Sequence, residues 1–251
     1  MENALDSNAE NIEIRFYRKG LNGFDIIYDG DGISDAELPL ICKCMPMRER
    51  NEIYKTRSIG YRGEAFNSIA KSSSLTVITK SDDSEFPWKV KYNVKGEISN
   101  IEQYDKCFNQ GTTIQVRDIH KNNEAHRKKF FATIPVCFES TMALLTTYSY
   151  RFYDRTLVVS QALKSEDADK GNIQEIFRTG NSPNFFPHVI SILKNQFRNS
   201  YPNMKESMVE WEHSFYPDTI SIRCIQSRPG NHKHALLIKK CLHIFLNGRP
   251  A

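Results

Sequence analysis

Gly60-Tyr61-Arg62-Gly63 is the stretch of this sequence best suited to holding an anion. Two glycines bracket a basic side chain, and a helical pattern opens immediately afterwards at Glu64-Ala65-Phe66. Glycine reaches backbone angles closed to other residues, so successive N–H groups can converge on a phosphate, and the positive end of a helix adds to the attraction. The same spacing also serves ordinary loops, so the neighbouring motifs must decide. Upstream lie Met1-Glu2-Asn3-Ala4-Leu5-Asp6 and the glycine turn Asp29-Gly30-Asp31-Gly32-Ile33. Downstream come Gly111-Thr112-Thr113-Ile114-Gln115-Val116-Arg117-Asp118 and Ala125-His126-Arg127-Lys128-Lys129-Phe130. The cations Arg127, Lys128, Lys129, Lys239 and Lys240 are able to neutralise phosphates, although basic runs also serve as plain solvated faces.

These groups need a scaffold, and the hydrophobic periods supply one. Ile12 to Arg18 and Gly23 to Tyr28 alternate apolar with polar across Gly20-Leu21-Asn22, which predicts a β-hairpin. Ser34 followed by Glu37 is a capping-box signature and predicts a helix that stops before Pro46. Strands are expected at 75–79, 88–94, 112–116 and 155–160, with a core-facing helix over 134–150. A turn-rich cluster at Thr179-Gly180-Asn181-Ser182-Pro183 marks a domain boundary. Beyond it a helix is expected over 188–197, a strand over 219–225 and an apolar run over 235–246. The order predicts an α+β layering of one sheet against helices, with no internal repeat.

Composition narrows the function classes. The chain has 251 residues, 39% of them hydrophobic, enough for one large or two small domains, and nothing marks it as fibrous or disulfide-built. The acidic, polar N-terminus lacks the pattern of a secretion signal, and no apolar run is expected to cross a bilayer. Six cysteines show no C-x-x-C pairing, so a cysteine metal site is not expected. A net charge of +4 gives no global field toward nucleic acid, which leaves only the local basic clusters.

Taken in order, the motifs resemble those of the MutL family of mismatch-repair proteins, whose N-terminal region reads E-N-S-L-D-A, D-N-G-x-G-[IV], G-F-R-G-E-A-L and G-T-T-x-x-V-x-D-L-F-x-N-x-P-A-R-R-K-F. Glu210-Trp211-Glu212-His213 and Leu246-Asn247-Gly248-Arg249-Pro250 are similar to segments of that family's second domain. The resemblance implies a GHKL (Bergerat-type) ATPase sandwich of a mixed sheet and helices over residues 1–180. Part of a ribosomal-protein-S5-like transducer domain is implied over 181–251. It implies ATP and Mg²⁺ as cofactors: Asn3 as the Mg²⁺ ligand, Gly60, Arg62 and Gly63 as the phosphate loop, Gly30 and Gly32 as the glycine turn, and Thr113 near the adenine. The segment 45–58 would be the nucleotide lid, although nothing there matches the family's T-S-K.

The departures carry as much information as the matches. Aligned on Gly30-x-Gly32, Tyr28 stands where the family has the aspartate that reads the adenine amino group; allowing a one-residue deletion makes Asp29 the reader instead, and the sequence leaves both open. The resemblance places the water-activating glutamate before Met1 and the lysine for the terminal phosphate after Ala251, so no catalytic residue is assigned and truncation at both ends is the expectation. Two readings remain: an ATP-dependent DNA clamp acting with a mismatch-recognition protein, or a hydrolysis-defective DNA-binding or dimerisation subunit. ATPase activity is accordingly left undecided. Either reading implies non-sequence-specific DNA contact, a MutL-type partner subunit in a homo- or heterodimer, no membrane, and a nuclear location in a eukaryote or a cytoplasmic one otherwise.

Overall fold

A computed structural model describes residues 1–43, 64–106, 108–163, 172–196, 204–215, 220–227, 245–246 and 249–250. The chain divides into two compact units, one built from 1–143 and 155–178, the other from 144–154 and 179–251.

In the first unit a short helix α1 (Glu2–Asp6) leads into strands β1 (Asn11–Tyr17) and β2 (Phe24–Tyr28), which pair antiparallel as the alternation predicts. Helix α2 (Glu64–Ser72) precedes β3 (Ser74–Lys80), β4 (Trp88–Tyr92), β5 (Ile98–Gln103) and β6 (Gly111–Arg117). Helix α3 (Glu124–Arg151) then leads to β7 (Thr156–Ala162) and β8 (Gln174–Arg178). The eight strands form one sheet in the order β5-β4-β3-β6-β2-β1-β7-β8. It is mixed, because β1 and β7 run parallel while the other neighbours are antiparallel.

The register decides which side chains share a face, since successive residues of a strand point opposite ways. Ile12 pairs with Tyr28, Tyr28 with Thr112, and Thr112 with Thr79, so these four lie on one side of the sheet. Ile14, Val77, Val90, Ile114 and Val159 continue that side as the core, and Ala4, Leu5, Leu38, Phe66 and Ala70 are buried with them. Tyr92 donates its hydroxyl to the Leu38 carbonyl at 2.8 Å, tying the segment after β2 onto the sheet.

That segment is not the helix the capping box predicts. Ser34 donates both its hydroxyl (2.6 Å) and its N–H (3.1 Å) to Glu37 as the motif requires, yet residues 35–42 form successive turns closed by short-range bonds such as Leu40 N–H to Glu37 O. Pro39 is the reason: it has no N–H to give and it disfavours helical angles at Leu38.

On the opposite face the buried Asp25 accepts 2.5 Å from the Tyr17 hydroxyl and 2.6 Å from Arg117, whose guanidinium lies 4.5 Å from the Tyr17 ring centroid. Burial and the bond to Asp25 both push the Tyr17 hydroxyl well above its ordinary range.

Helix α3 starts ten residues earlier than predicted and is mostly exposed until its last turns, so it is not the core-facing helix expected; Val136, for example, is 66% exposed. By length and composition alone it is also long and apolar enough to cross a membrane, contrary to the expectation from the sequence.

The second unit holds the end of α3, helices α4 (Phe185–Gln196) and α5 (Met204–Ser207), the antiparallel pair β9 (Met208–Phe215) and β10 (Ile220–Ser227), and the pair β11 (Phe245–Leu246) and β12 (Arg249–Pro250). His188 of α4 bonds to the Ser149 carbonyl at 2.7 Å, fixing α4 to the end of α3.

Candidate nucleotide site

Asn3 projects from α1 and is exposed, while its neighbours Ala4 and Leu5 are buried and seat the helix. The end of α1 is joined to the glycine turn after β2. The Asp31 N–H donates to the Ser7 carbonyl at 2.8 Å, and the Asn8 amide donates to the Asp31 carboxylate at 2.9 Å. The glycines make that approach possible. A Cβ on Gly30 would stand 2.2 Å from the Ser7 carbonyl oxygen; on Gly32, whose φ is +78°, it would stand 2.1 Å from that of Lys80. Both glycines therefore let the turn pass between α1 and β3.

Tyr28 and Asp29, the two candidates that the sequence leaves open, have different surroundings in the structure. The Asp29 carboxylate accepts from the Glu10 N–H at 2.9 Å, the Asn11 N–H at 2.8 Å and the Asn11 amide at 2.6 Å, stitching the end of β2 to the start of β1. Burial alone would push this carboxyl up, but those hydrogen bonds outweigh it and hold the carboxyl below its ordinary range. Asp29 opens on a hollow of about 650 Å³ with Glu13, Ser160, Glu175 and Arg178. The register puts Glu13 and Ser160 on the face away from Tyr28 and Thr112. The Asp29 oxygens clamp the two strands, and Asp29 and Tyr28 both line the hollow.

Tyr28 faces the helices instead. Burial pushes its hydroxyl up to about 12, against a hydrogen bond with Thr112 that works the other way. Thr79 accepts from the Ile33 N–H at 2.9 Å and donates its one proton to the Gly111 carbonyl at 3.0 Å, so in the 2.9 Å pair with Thr112 the proton belongs to Thr112. The chain runs from Thr112 through Thr79 to Gly111, and the register sets Tyr28 opposite Thr112.

Thr113 pairs with Ile27 and Ile78, which places it on the other face, so Thr112 is the threonine on the helix-covered side. Thr79 and Thr112 were missed by reading motifs alone; only the pairing of β2, β3 and β6 brings them together. Gly60, Arg62, Gly63, the segment 45–58, Lys239 and Lys240 lie outside the described residues. Arg127, Lys128 and Lys129 are all exposed on the first turn of α3, with Lys128 paired to Glu124 at 2.8 Å and Arg127 5.2 Å from the Phe131 ring centroid.

Residues 1–123 match the family described as histidine kinase-, DNA gyrase B-, and HSP90-like ATPase. Among curated proteins, the DNA mismatch repair protein MutL of Clostridium beijerinckii is 33% identical over 138 residues, covering 53% of this chain and 20% of the relative. MutL of Pseudomonas syringae pv. tomato is 31% identical over 131 residues, covering 51% and 20%. The solved Aquifex aeolicus MutL ATPase domain complexed with ADP superposes with a TM-score of 0.63 at 16% identity, over all of this chain and 78% of that one.

Over its first half this chain is similar in sequence to the MutL-type GHKL N-terminal region, and it shares that region's fold. The N-terminal domain of a DNA repair protein superposes with a TM-score of 0.66 at 22% identity, over 84% of this chain and 57% of that one, and supports the same fold. The chain spans about a fifth of the length of the curated MutL relatives it matches. In MutL-type terms, α1, the glycine turn and the Thr112–Thr79 pair are where motifs far apart in sequence meet.

Proposed function

We propose that this chain binds Mg²⁺-ATP as the N-terminal region of a mismatch-repair protein, closing on DNA together with a second MutL-type subunit and acting with a mismatch-recognition protein. The observation that carries the reading is the convergence of α1, the Gly30–Gly32 turn and the Thr112–Thr79 pair, with Tyr28 opposite Thr112, at one end of the sheet. Asn3, exposed and carrying an oxygen donor, fits a hard cation that neutralises phosphate charge. Gly60, Arg62 and Gly63 would meet the phosphates, and Tyr28 would accept from the amino group of adenine through its hydroxyl oxygen.

Arg127, Lys128 and Lys129 would meet the DNA backbone, with Lys239 and Lys240 added from the second unit. Work on the genome would put the protein in the nucleus of a eukaryote or the cytoplasm of a prokaryote. A second reading, a subunit that binds nucleotide without hydrolysing it, is favoured by the residue aligned with the family's adenine-reading aspartate: Tyr28 offers a neutral hydroxyl, which would make a weaker bond than a carboxylate.

Calorimetry with a non-hydrolysable ATP analogue tests the proposal. Binding is expected to be weak, dependent on Mg²⁺, and reduced about tenfold, or about 1.4 kcal/mol, in Asn3→Ala. Tight binding that ignores both Mg²⁺ and Asn3 would sink it. Reversing charge at Arg127, Lys128 and Lys129 should weaken binding to every duplex alike and flatten its salt dependence.

A further inference from the structure

In the first unit a groove of about 690 Å³ opens between the first half of α3, the end of β7, the start of β8 and the turn after β1. Its apolar wall is incompletely covered: Phe131 is 42% and Leu163 71% exposed, beside Ile134 and Pro135. Contiguous apolar surface of this kind, left open to water, marks an interaction site more often than a resting surface.

The polar groups of the groove say what would fill it. Among the described residues no carboxylate lines it, whereas Arg18 and Lys19 both do. These two cations follow one another at φ 51° and 58°, a left-handed conformation that residues with a side chain rarely adopt, so the turn fixes their direction. Among the described residues neither is in an ion pair, and the Lys19 ammonium lies 5.9 Å from the centroid of the Phe138 ring. Gln161 donates its side-chain amide to Gln174 at 2.9 Å, which leaves the Gln161 carbonyl oxygen and the Gln174 amide hydrogens able to bond a peptide backbone; an acyl chain has no use for them.

We propose that this groove docks a short segment of a partner protein in which a bulky apolar side chain sits beside one or more carboxylates. The apolar side chain enters between Phe131 and Leu163, the carboxylates meet Arg18 and Lys19, and the glutamine amides hold the backbone. The proposal stands apart from nucleotide and DNA binding, since it uses none of those residues.

A library of displayed 12-residue peptides, selected on the full chain, provides the test. The recovered sequences are expected to share an aromatic or aliphatic residue flanked by Asp or Glu. A synthetic peptide of that consensus should lose at least tenfold in affinity against Leu163→Asp and, separately, against Arg18→Glu/Lys19→Glu. All three positions lie at the surface or on a turn, and circular dichroism confirms that each variant folds. Recovered peptides without carboxylates, or a consensus peptide that both variants bind as tightly as the original chain, would overturn the docking site. So would an absence of any consensus combined with binding to phosphatidylglycerol vesicles that Leu163→Asp abolishes, since the groove would then be serving a lipid surface.

Discussion

Two hydrogen-bond networks lie on opposite faces of the same sheet, and they are finished differently. Tyr17 donates to Asp25, which also takes a proton from Arg117, so both carboxylate oxygens are engaged and the charge is closed off inside the protein. On the other face, opposite Tyr28 in the register, Thr112 donates to Thr79 and Thr79 to the Gly111 carbonyl, a chain of neutral hydroxyls. The difference separates holding from presenting. A closed network around a charge contributes to the fold, whereas an open one can still accept a bond from something that arrives.

Asp25→Ala breaks the closed network and should have the largest effect. It leaves the Arg117 guanidinium, only 26% exposed, without its carboxylate, and is expected to cost about 3–5 kcal/mol in urea unfolding. A loss below about 1 kcal/mol would mean that Arg117 finds water or another acceptor, and the contrast between the two faces would fail. In the open network, Thr112→Val removes the donor to Thr79 and leaves a buried lone pair unpaired, for an expected cost of about 1–3 kcal/mol. Tyr28→Phe removes a single buried hydroxyl and should cost about 1 kcal/mol while erasing any preference for an adenosine over an inosine nucleotide. If the preference survives, Tyr28 is not the base reader.

Alkaline pH gives a smaller, graded effect that tells the networks apart. Burial raises Tyr28 from 10.0 to about 12 and Cys42 from 9.0 to about 11. Both groups keep their protons longer folded than unfolded, so the stability they contribute is complete below pH 9. It should fall between pH 9 and 11 for Cys42 and between pH 10 and 12 for Tyr28. Unfolding followed across this range should show the loss, and Tyr28→Phe should remove part of the loss above pH 10, the rest belonging to Tyr17 and Tyr92, whose hydroxyls burial also pushes up.

How much of this was legible in the sequence depends on whether the signal was local. The hairpin of β1 and β2 shows itself in alternating apolar residues, and the glycine motifs show the order of the site. β5 was missed because Ile98-Ser99-Asn100-Ile101-Glu102-Gln103 is exposed at a sheet edge and needs no apolar alternation. The helix from Ser34 to before Pro46 is absent over the described residues 34–43 because its correct capping signal stands only two residues before Pro39. Choosing between Thr112 and Thr113, or between Tyr28 and Asp29, requires knowing which strands become neighbours, and adjacent residues of a strand differ only in the face they take.

The parallel pairing of β1 with β7 has a kinetic consequence. Arg155, just before β7, bonds to the carbonyl of Ala9, 146 residues earlier, so the first strand of the sheet waits for one of the last to be synthesised. Closing so long a loop precedes any reward from the contacts it makes. Until β7 emerges, the open edge of β1 is available to other chains, and the hairpin carrying Tyr28 and Asp29 is only half supported. Refolding should therefore be slow and sensitive to protein concentration, with the nucleotide site among the last parts of the first unit to take shape.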